Sequence, residues 1–400
     1  MEYPRIYLAI DNCFASKRWT KPAEWLEVVK EIGINYVEAS ADNECDPMYM
    51  GNEYLDDWVR EVEKFSEKLG VKVANLYSGH GTYATLGLAH TDERIRNRFL
   101  NGWLKPMVKT ASKVGAGLGF FCHAFSDSVL QDLGKYTEME EDLYNRFAEL
   151  AVFAHDNNTV LGVEQMYTPH QIPWTIRGAQ KLLGEVFKKA NKPFYITIDL
   201  GHQYGQRKFL RPDYGKIKEY LRVYKEGNIP ANMWLGPKTA YELFDKALNK
   251  VGYDEDSEIH NILIEMDRYP HMFSKYEDGD PYIWLEKLGC FSPIIHLQQT
   301  NGKSSSHLPF TSQYNENGII KGDKVLKALY RSYQTDFNGS MPDKCRHIYL
   351  TLEMFTGTSE INRDTIMALK ETVSYWRKYI PEDGTPLDIL LEKTGEEKYA

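Results

Sequence analysis

The sequence predicts a single (β/α)8 TIM barrel with a helical insertion after strand 6. Eight short apolar segments alternate with amphipathic segments of helical periodicity, and this alternation is the pattern of a parallel barrel. A chain of 400 residues has room for one such barrel and an insertion. The predicted strands cover residues 6–10, 36–40, 71–77, 117–122, 159–166, 194–200, 292–300 and 347–355.

Capping signals bound the predicted helices. The first helix begins after Thr20, has Pro22 in its first turn and ends at Gly33. Gly70 and Gly115 end the next two helices, because glycine readily adopts the left-handed conformation found there. After the first helix, the predicted helices of the barrel cover residues 54–69 and 92–114, which end at these two glycines, and then 138–155, 176–190, 281–288, 323–333 and 362–379.

The interval between the sixth and seventh strands is too long for one helix. Residues 206–279 contain three further segments of helical periodicity, at 214–224, 238–251 and 259–268. Insertions of this size on the active-site face of a barrel commonly form a lid or an oligomer contact. We therefore expect one domain over residues 1–400, in which 206–279 is a lid, a contact in a homodimer or homotetramer, or an extension that packs on its own chain alone.

Composition narrows the classes of function. The formal net charge of −9 would repel a phosphate backbone, so we expect no nucleic acid as a partner. Five cysteines without a CxxC pair fit a reducing compartment better than a disulfide framework. The N-terminus has no signal-peptide pattern, and no apolar run is long enough to span a bilayer. We expect a soluble cytoplasmic protein without a membrane partner.

Four predicted strands carry polar side chains late in their length. Glu164, Asp199, His296 and Glu353 lie on the fifth to eighth strands, and the carboxyl ends of barrel strands share one mouth. A carboxylate that ends a buried strand is costly unless a cation neutralises it. Carboxylate and imidazole groups together suit Mn²⁺, Mg²⁺ or Co²⁺. The sequence therefore predicts that these four residues bind one divalent metal ion.

Two glycine-containing segments suggest nucleotide binding at first sight but lack the required context. Gly302-Lys303-Ser304 would need a glycine five positions before Gly302 to form a phosphate loop, and residue 297 is leucine. The glycine-rich segment 115–119 precedes a strand, whereas a dinucleotide fingerprint follows one. We therefore expect no nucleotide cofactor.

Further polar residues follow the strands on the same side of the predicted barrel. His80 and His123 end the third and fourth strands, and His307 follows the seventh. Each is either a hydrogen-bonded structural histidine or a contact to a second metal or to substrate hydroxyls. Loop 300–310 offers Lys303 and three consecutive serines, which favours an anionic or strongly polar substrate group, although such runs also occur in plain surface loops.

The order Glu164, Asp199-x-x-His202, His296, Glu353 resembles the xylose-isomerase-like barrel superfamily. It is most similar to the sugar and sugar-phosphate isomerase and 3-epimerase branch typified by tagatose and psicose 3-epimerases. The resemblance implies that Glu164 and Glu353 are also the acid/base pair and that His202 contacts the substrate. The implied reaction moves a proton next to the carbonyl of a sugar or sugar phosphate through an enediolate.

The sequence departs from that family pattern at two positions. The epimerases have an arginine shortly after the metal histidine, but residue 302 is glycine and Lys303 is the nearest cation in sequence. Aldose–ketose isomerisation and a metal-dependent dehydratase of the sugar or inositol type therefore stay open. Type IV apurinic-site endonucleases, which are phosphodiesterases, have an Asp-x-His pair that is Ser305-x-His307 here. That difference and the net charge make the endonuclease the weakest alternative.

Overall fold

The computed structural model describes residues 2–40, 44–78, 86–122, 125–249, 254–337 and 339–396. Eight parallel strands pair in sequence order, and β1 also pairs with β8, which closes the sheet into a barrel. The predicted fold class is therefore confirmed. The strands are β1 Arg5–Asp11, β2 Tyr36–Ser40, β3 Lys72–Ser78, β4 Gly117–Phe120, β5 Leu161–Glu164, β6 Tyr195–Asp199, β7 Ile294–Leu297 and β8 His347–Leu352. A short strand β9, Thr385–Pro386, pairs antiparallel with β1.

Helices follow the strands along the chain. The described α-helices are Pro22–Glu31, Asn52–Leu69, Glu93–Phe99, Lys105–Val114, Asp127–Leu130, Leu133–Asp156, Ile176–Ala190, Gln203–Gln206, Tyr214–Lys225, Lys238–Asn249, Glu255–Asp267, Pro281–Leu288, Ser312–Asn317, Gly322–Gln334, Asn362–Arg377 and Leu387–Glu396. The helix predicted over 92–114 is interrupted by a π-helical turn at Leu100–Leu104. Among the helices described, none combines the length and the apolar character that a bilayer crossing requires.

The alternation along β8 shows how the sequence separates the core from the barrel interior. Ile348, Leu350 and Leu352 are fully buried and belong to the hydrophobic core. Because successive side chains of a strand point to opposite faces, Thr351 and Glu353 lie on the other face, inside the barrel. The barrel interior therefore holds the polar residues, whereas the aliphatic face packs in the main core.

Strand register brings the predicted site residues to the same level of the barrel. Asp199 of β6 pairs with His296 of β7, and the backbone N–H of Glu353 donates to the Leu297 carbonyl at 3.0 Å. On the other side of the barrel, Asp11 pairs with Glu38 across β1 and β2. Side chains that are distant in sequence therefore meet at the carboxyl ends of the strands.

The insertion contains the three predicted helices, at Tyr214–Lys225, Lys238–Asn249 and Glu255–Asp267. Aromatic side chains connect it to the barrel. Phe209 makes edge contacts with Trp174, which follows β5, at 5.8 Å and with Trp234 of the insertion at 5.0 Å. The insertion is thus packed against the barrel by its own aromatic residues.

Candidate active site

Four side chains from neighbouring strands converge at the carboxyl-terminal mouth of the barrel. His296 Nδ1 lies 3.1 Å from Glu164 Oε1 and 3.5 Å from Glu353 Oε2. One ligand atom each from Glu164, Asp199 and His296 lie within 4.8 Å of one another. Glu164, Asp199 and His296 are therefore close enough to share one ion, and Glu353, the fourth residue predicted to bind it, lies beside His296.

A second group of potential metal ligands shares Asp199 with the first. It consists of Asp199, His202 and His307, whose ligand atoms also lie within 4.8 Å of one another. His202 Nε2 is 3.5 Å from Asp199 Oδ2, and its Nδ1 is 2.7 Å from the carbonyl oxygen of Gln165. His307 Nδ1 is 3.3 Å from Glu353 Oε2. His202 and His307 are thus both in contact with the central carboxylates.

Gln298 holds the Asp199 carboxylate in place, and the sequence analysis did not identify it. Its side-chain N–H group donates to both oxygens of Asp199, at 2.9 and 3.0 Å. Its side-chain carbonyl oxygen, Oε1, accepts a hydrogen bond from the backbone N–H of His307 at 2.7 Å. A Cβ atom at Gly201 would lie 2.2 Å from Gln298 Cδ, so a side chain there would displace Gln298 from its present position. Gln298 therefore links Asp199 to the loop that carries His307.

Three more functional candidates come from strands β1 to β3. Glu38 Oε1 accepts a hydrogen bond from His296 Nε2 at 2.7 Å, and the Tyr77 hydroxyl donates to Glu164 Oε2. Asp11 lies beside Glu38 and is 2 % exposed. The segment YVEAS of β2 contains the same signal as LGVE of β5, a single carboxylate in an apolar strand, so sequence analysis could have found Glu38.

The charges of the site are strongly coupled. Burial alone would raise the pKa of Asp199, but His202 and the other neighbouring imidazoles lower it to about 2. Burial lowers the pKa of His296, but Glu353 and Glu38 outweigh this and raise it well above its ordinary value. Burial raises the pKa of Glu353 well above its ordinary value, with Asp199 contributing, against the opposing effect of His296. Among the described residues, the site thus holds more acidic than basic side chains.

This arrangement fits a divalent cation. The potential donors are carboxylate oxygens and an imidazole nitrogen, which suit Mn²⁺, Co²⁺ or Zn²⁺. Glu353 Oε2 is buried and makes no hydrogen bond within the part of the chain that the structure describes. A buried carboxylate oxygen without a donor is costly unless a cation or a ligand contacts it. Glu164, Asp199, His296 and Glu353 are the residues that would hold such an ion.

The remaining predicted site residues lie farther out or are not described. His80 and His123 fall outside the described residues. Lys303 is exposed on its loop, where its backbone N–H donates to Asn301 Oδ1. A second cation, Arg207, also reaches this loop, because its Nη1 donates to the Gly302 carbonyl at 3.0 Å. Arg207 belongs to the segment after β6, and its position depends on tertiary contacts.

Comparison with known proteins defines the family. A sequence profile of the family described as xylose isomerase-like TIM barrel matches residues 26–254. This is more than half of the chain, and the chain belongs to that family. A curated relative, D-erythrulose 1-phosphate 3-epimerase of Brucella abortus (strain 2308), is 30 % identical over 113 residues. That match covers 28 % of this chain and 33 % of the relative, about a third of its length.

Solved structures with the same fold cover nearly the whole chain. A candidate xylose isomerase of Rhodospirillum rubrum aligns with a TM-score of 0.65 at 15 % identity and covers 93 % of this chain and 99 % of its own. A D-allulose 3-epimerase of Methylomonas sp., solved with D-allulose, gives 0.53 at 12 % identity over 94 % and 99 %. A protein named IolI, solved with a zinc atom, gives 0.54 at 14 % identity over 93 % and 99 %. At these identities the likeness establishes the fold alone.

Proposed function

We propose that the protein is a divalent-metal-dependent isomerase or epimerase of a sugar or sugar phosphate. The observation that carries the proposal is the placement of two carboxylates beside one imidazole nitrogen. Glu164 and Glu353, from β5 and β8, lie 3.1 and 3.5 Å from His296 Nδ1. Family membership and the epimerase relatives support the same class of reaction.

In this proposal, Glu164 and Glu353 transfer the proton next to the substrate carbonyl. One carboxylate accepts a proton from the carbon beside the carbonyl, and an acid returns a proton to the enediolate. A bound divalent metal supplies a Lewis acid that stabilises negative charge on the substrate oxygens. Burial raises the pKa of Glu353 above its ordinary value, which makes this carboxylate a stronger proton acceptor than an exposed one. His202 and His307 contact substrate hydroxyls.

Deuterium exchange tests the proposal. The protein is incubated with Mn²⁺, Mg²⁺ or Co²⁺ and a panel of free and phosphorylated ketoses in D₂O, and mass spectrometry measures deuterium beside the carbonyl. We expect incorporation with at least one sugar, and its loss in both Glu164→Gln and Glu353→Gln. Product without water loss identifies an isomerase or epimerase, whereas a dehydrated product identifies the sugar or inositol-type dehydratase. If no ketose gives either exchange or product, the proposal is wrong.

The second ligand group keeps the phosphodiesterase as an alternative. Asp199, His202 and His307 could hold another ion, and clusters of ions serve phosphodiester hydrolysis. The net charge of −9 opposes binding to a nucleic acid. Metal analysis separates the two functions, because one ion per chain fits the isomerase and two or three ions fit the phosphodiesterase.

We propose that the insertion also contributes to assembly or to closure of the site. Its surface exposes Ile229, Ile264 and Tyr276, with 82 %, 64 % and 85 % of their surfaces accessible. In this proposal these side chains take part in a contact with a second subunit. Light scattering of the variant Ile264→Lys measures whether an oligomer weakens. An unchanged mass and an unchanged KM in this variant would contradict both roles at this surface.

A further inference from the structure

Both ring nitrogens of His296 have carboxylate partners, but the two sides differ. Nδ1 faces Glu164 and Glu353, the proposed metal ligands, at 3.1 and 3.5 Å. Nε2 faces Glu38 on the opposite side of the barrel at 2.7 Å. His296 is fully buried and Glu38 is 1 % exposed, so water does not compete for this contact. Glu38 is therefore the partner of the nitrogen that points away from the proposed ligands.

Glu38 is itself held by a second buried residue. Its Oε2 accepts a hydrogen bond from Asn75 Nδ2 at 2.7 Å, while its Oε1 accepts from His296. Glu38 of β2 and Asn75 of β3 are paired in register, so their side chains point to the same face, into the barrel. Each oxygen of the Glu38 carboxylate thus has one defined donor.

The next strand leaves room for the Asn75 amide. Asn75 pairs in register with Gly117 of β4. A Cβ atom at Gly117 would lie 2.7 Å from Asn75 Oδ1 and 3.1 Å from the backbone oxygen of Val160. Beyond these residues lies a cavity of about 210 Å³ at the amino-terminal mouth of the barrel. The missing side chain at Gly117 is what allows the Asn75 amide to occupy this position.

We propose that Glu38 and Asn75 form a positioning pair for the metal ligand His296. The Glu38 carboxylate accepts the proton on Nε2, which leaves the lone pair of Nδ1 directed at the ion. Asn75 fixes the rotamer of Glu38, and Gly117 makes space for Asn75. A histidine that binds a metal through one nitrogen is oriented by a hydrogen bond from the other, and a carboxylate partner also makes it a stronger donor. This inference rests on the proposed metal dependence.

The test measures binding of Co²⁺ alone, by competition with a chromophoric chelator and by the visible spectrum of the ion. Glu38→Gln keeps the shape but removes the charge, and we expect Co²⁺ affinity to fall by about 10- to 100-fold. Asn75→Ala and Gly117→Ala should each weaken binding less, by several-fold. In every variant the spectrum should keep the intensity of the wild-type site, because no ligand of the ion has been removed.

Two control variants separate positioning from general damage. Gly162→Ala changes another glycine of the same cavity, but its Cβ would lie 3.4 Å from Thr197 Oγ1, an ordinary contact, and the nearest atoms do not include Asn75. Glu44→Gln changes a buried carboxyl that is 2 % exposed and lies outside the proposed ligand set. Both controls should bind Co²⁺ with wild-type affinity.

Energetic coupling gives the sharpest readout. If Asn75 acts through Glu38, then Asn75→Ala should weaken Co²⁺ binding in the wild type and add almost nothing in a Glu38→Ala background. The proton on Nε2 offers a second readout. In the Co²⁺-loaded wild type it should give a shifted, slowly exchanging NMR signal, and this signal should exchange rapidly in Glu38→Ala. A purely structural role would not move this signal selectively.

Distinct results would overturn the inference. Wild-type Co²⁺ affinity in Glu38→Gln, measured beside a strong loss in His296→Ala, would remove the positioning role. A Glu38→Gln variant that loses binding as completely as Glu164→Gln, with the spectrum of a site lacking one ligand, would make Glu38 a direct ligand instead. Should Glu38→Gln not fold, additive effects of Asn75→Ala and Gly117→Ala would contradict the pair. A wild type that binds no Co²⁺, Mn²⁺ or Mg²⁺ would overturn the proposed metal dependence itself.

Discussion

The two halves of the barrel contribute to the site in different ways. Strands β5 to β8 provide the proposed ligands, which lie at or just beyond the ends of the strands. Strands β1 to β3 provide side chains that hold those ligands, such as Glu38 on His296 and Tyr77 on Glu164. Glu38 is the third of five residues in β2, so the supporting residue lies deeper than the strand end. The half with β5 to β8 therefore carries the proposed chemistry, together with Gln298 as a support for Asp199, and the half with β1 to β3 contributes supporting contacts from across the barrel.

This difference determines what a substitution in each half should change. A substitution at Glu164 or Glu353 removes a proposed acid or base and a proposed ligand together. A substitution at Tyr77 leaves every proposed reacting group present but less well oriented. We therefore expect kcat to fall most for substitutions at Glu164 or Glu353 and by smaller factors for a substitution at Tyr77.

The largest expected effect is that of Glu353→Gln. General acid–base groups contribute about 10²- to 10⁴-fold to rates, so kcat should fall by about this factor. Thr351→Val is the matched control on the same strand, because Thr351 Oγ1 is buried and makes no hydrogen bond within the described ranges. Steady-state kinetics with bound metal measured in the same samples checks this prediction. Equal losses in both variants would mean that the strand, rather than its carboxylate, is responsible.

Glu44, a buried carboxyl with no cation partner among the described residues, should make stability depend on pH in the β1–β2 region. Burial raises the pKa of Glu44 to about 8, against the opposing effect of the nearby Trp58 and Trp25 side chains. The pKa of Glu44 is higher in the folded protein than its ordinary value of 4.5. The stabilisation from this group is therefore fully present below about pH 4.5 and is lost as the pH rises through 8. The slope approaches about 1.4 kcal/mol per pH unit between these values.

Glu44→Gln should remove this contribution. Urea unfolding at several pH values between 5 and 9 measures the free energy of unfolding of both proteins. The wild type should lose stability relative to the variant as the pH rises, and the two should converge at the acidic end. Parallel curves over this range would contradict the raised pKa of Glu44.

We call strands β5 to β8, which provide the proposed ligands, the donor half, and strands β1 to β3, which support those ligands, the supporting half. The sequence predicts the donor half better than the supporting half, for a physical reason. Glu164, Asp199, His296 and Glu353 are recognisable because a polar side chain late on an apolar strand must meet something at the mouth of the barrel. The contact between Glu38 and His296 joins strands 258 residues apart in sequence. Periodicity identifies each strand, but only closure of the barrel determines which side chains meet across it.

The same limit applies to the loops after the strands. The length and helical periodicity of the insertion are visible in the sequence, and its helices appear close to the predicted ranges. The contact of Arg207 with Gly302 is not visible, because it depends on how the segment after β6 folds back onto the loop after β7. The bounds of secondary structure follow from local patterns, whereas loop contacts depend on tertiary packing.

Tyr77→Phe should have a moderate effect and tests the supporting half directly. Loss of its hydrogen bond to Glu164 should cost about 1–2 kcal/mol, which corresponds to roughly a tenfold fall in kcat. Tyr36→Phe is the control, since this tyrosine also lies on a barrel strand and contacts Tyr7 and Tyr349 through its ring. Steady-state kinetics at saturating metal checks the difference. A fall in kcat as large as that of Glu353→Gln would make Tyr77 a reacting group and would end the distinction between the two halves.

The most selective expected effect, confined to phosphorylated substrates, concerns Lys303 on the loop after β7. The Arg207 guanidinium donates hydrogen bonds to the backbone carbonyls of Gly279 and Gly302, at 2.8 and 3.0 Å, and these bonds stabilise the loop. Within the described ranges the Lys303 ammonium makes no hydrogen bond or ion pair, which leaves it able to bind an anionic group of the substrate. Lys303→Ala should therefore lower kcat/KM selectively for a phosphorylated substrate, by roughly tenfold for one charge-assisted hydrogen bond.

Lys208→Ala is the control for Lys303→Ala, because Lys208 is another exposed lysine, in the segment after β6, and lies over the Tyr204 ring at 4.9 Å. The measurement is kcat/KM for one sugar with and without its phosphate, in both variants. An equal loss on the two substrates in Lys303→Ala would show that the lysine does not recognise phosphate. A loss on the phosphorylated substrate alone, seen in Lys303→Ala and not in Lys208→Ala, would show that the loop after β7 binds the anionic group. The donor half of the barrel would then include this loop as well as the strand ends, since the same side of the molecule would bind both the reacting and the anionic groups of the substrate.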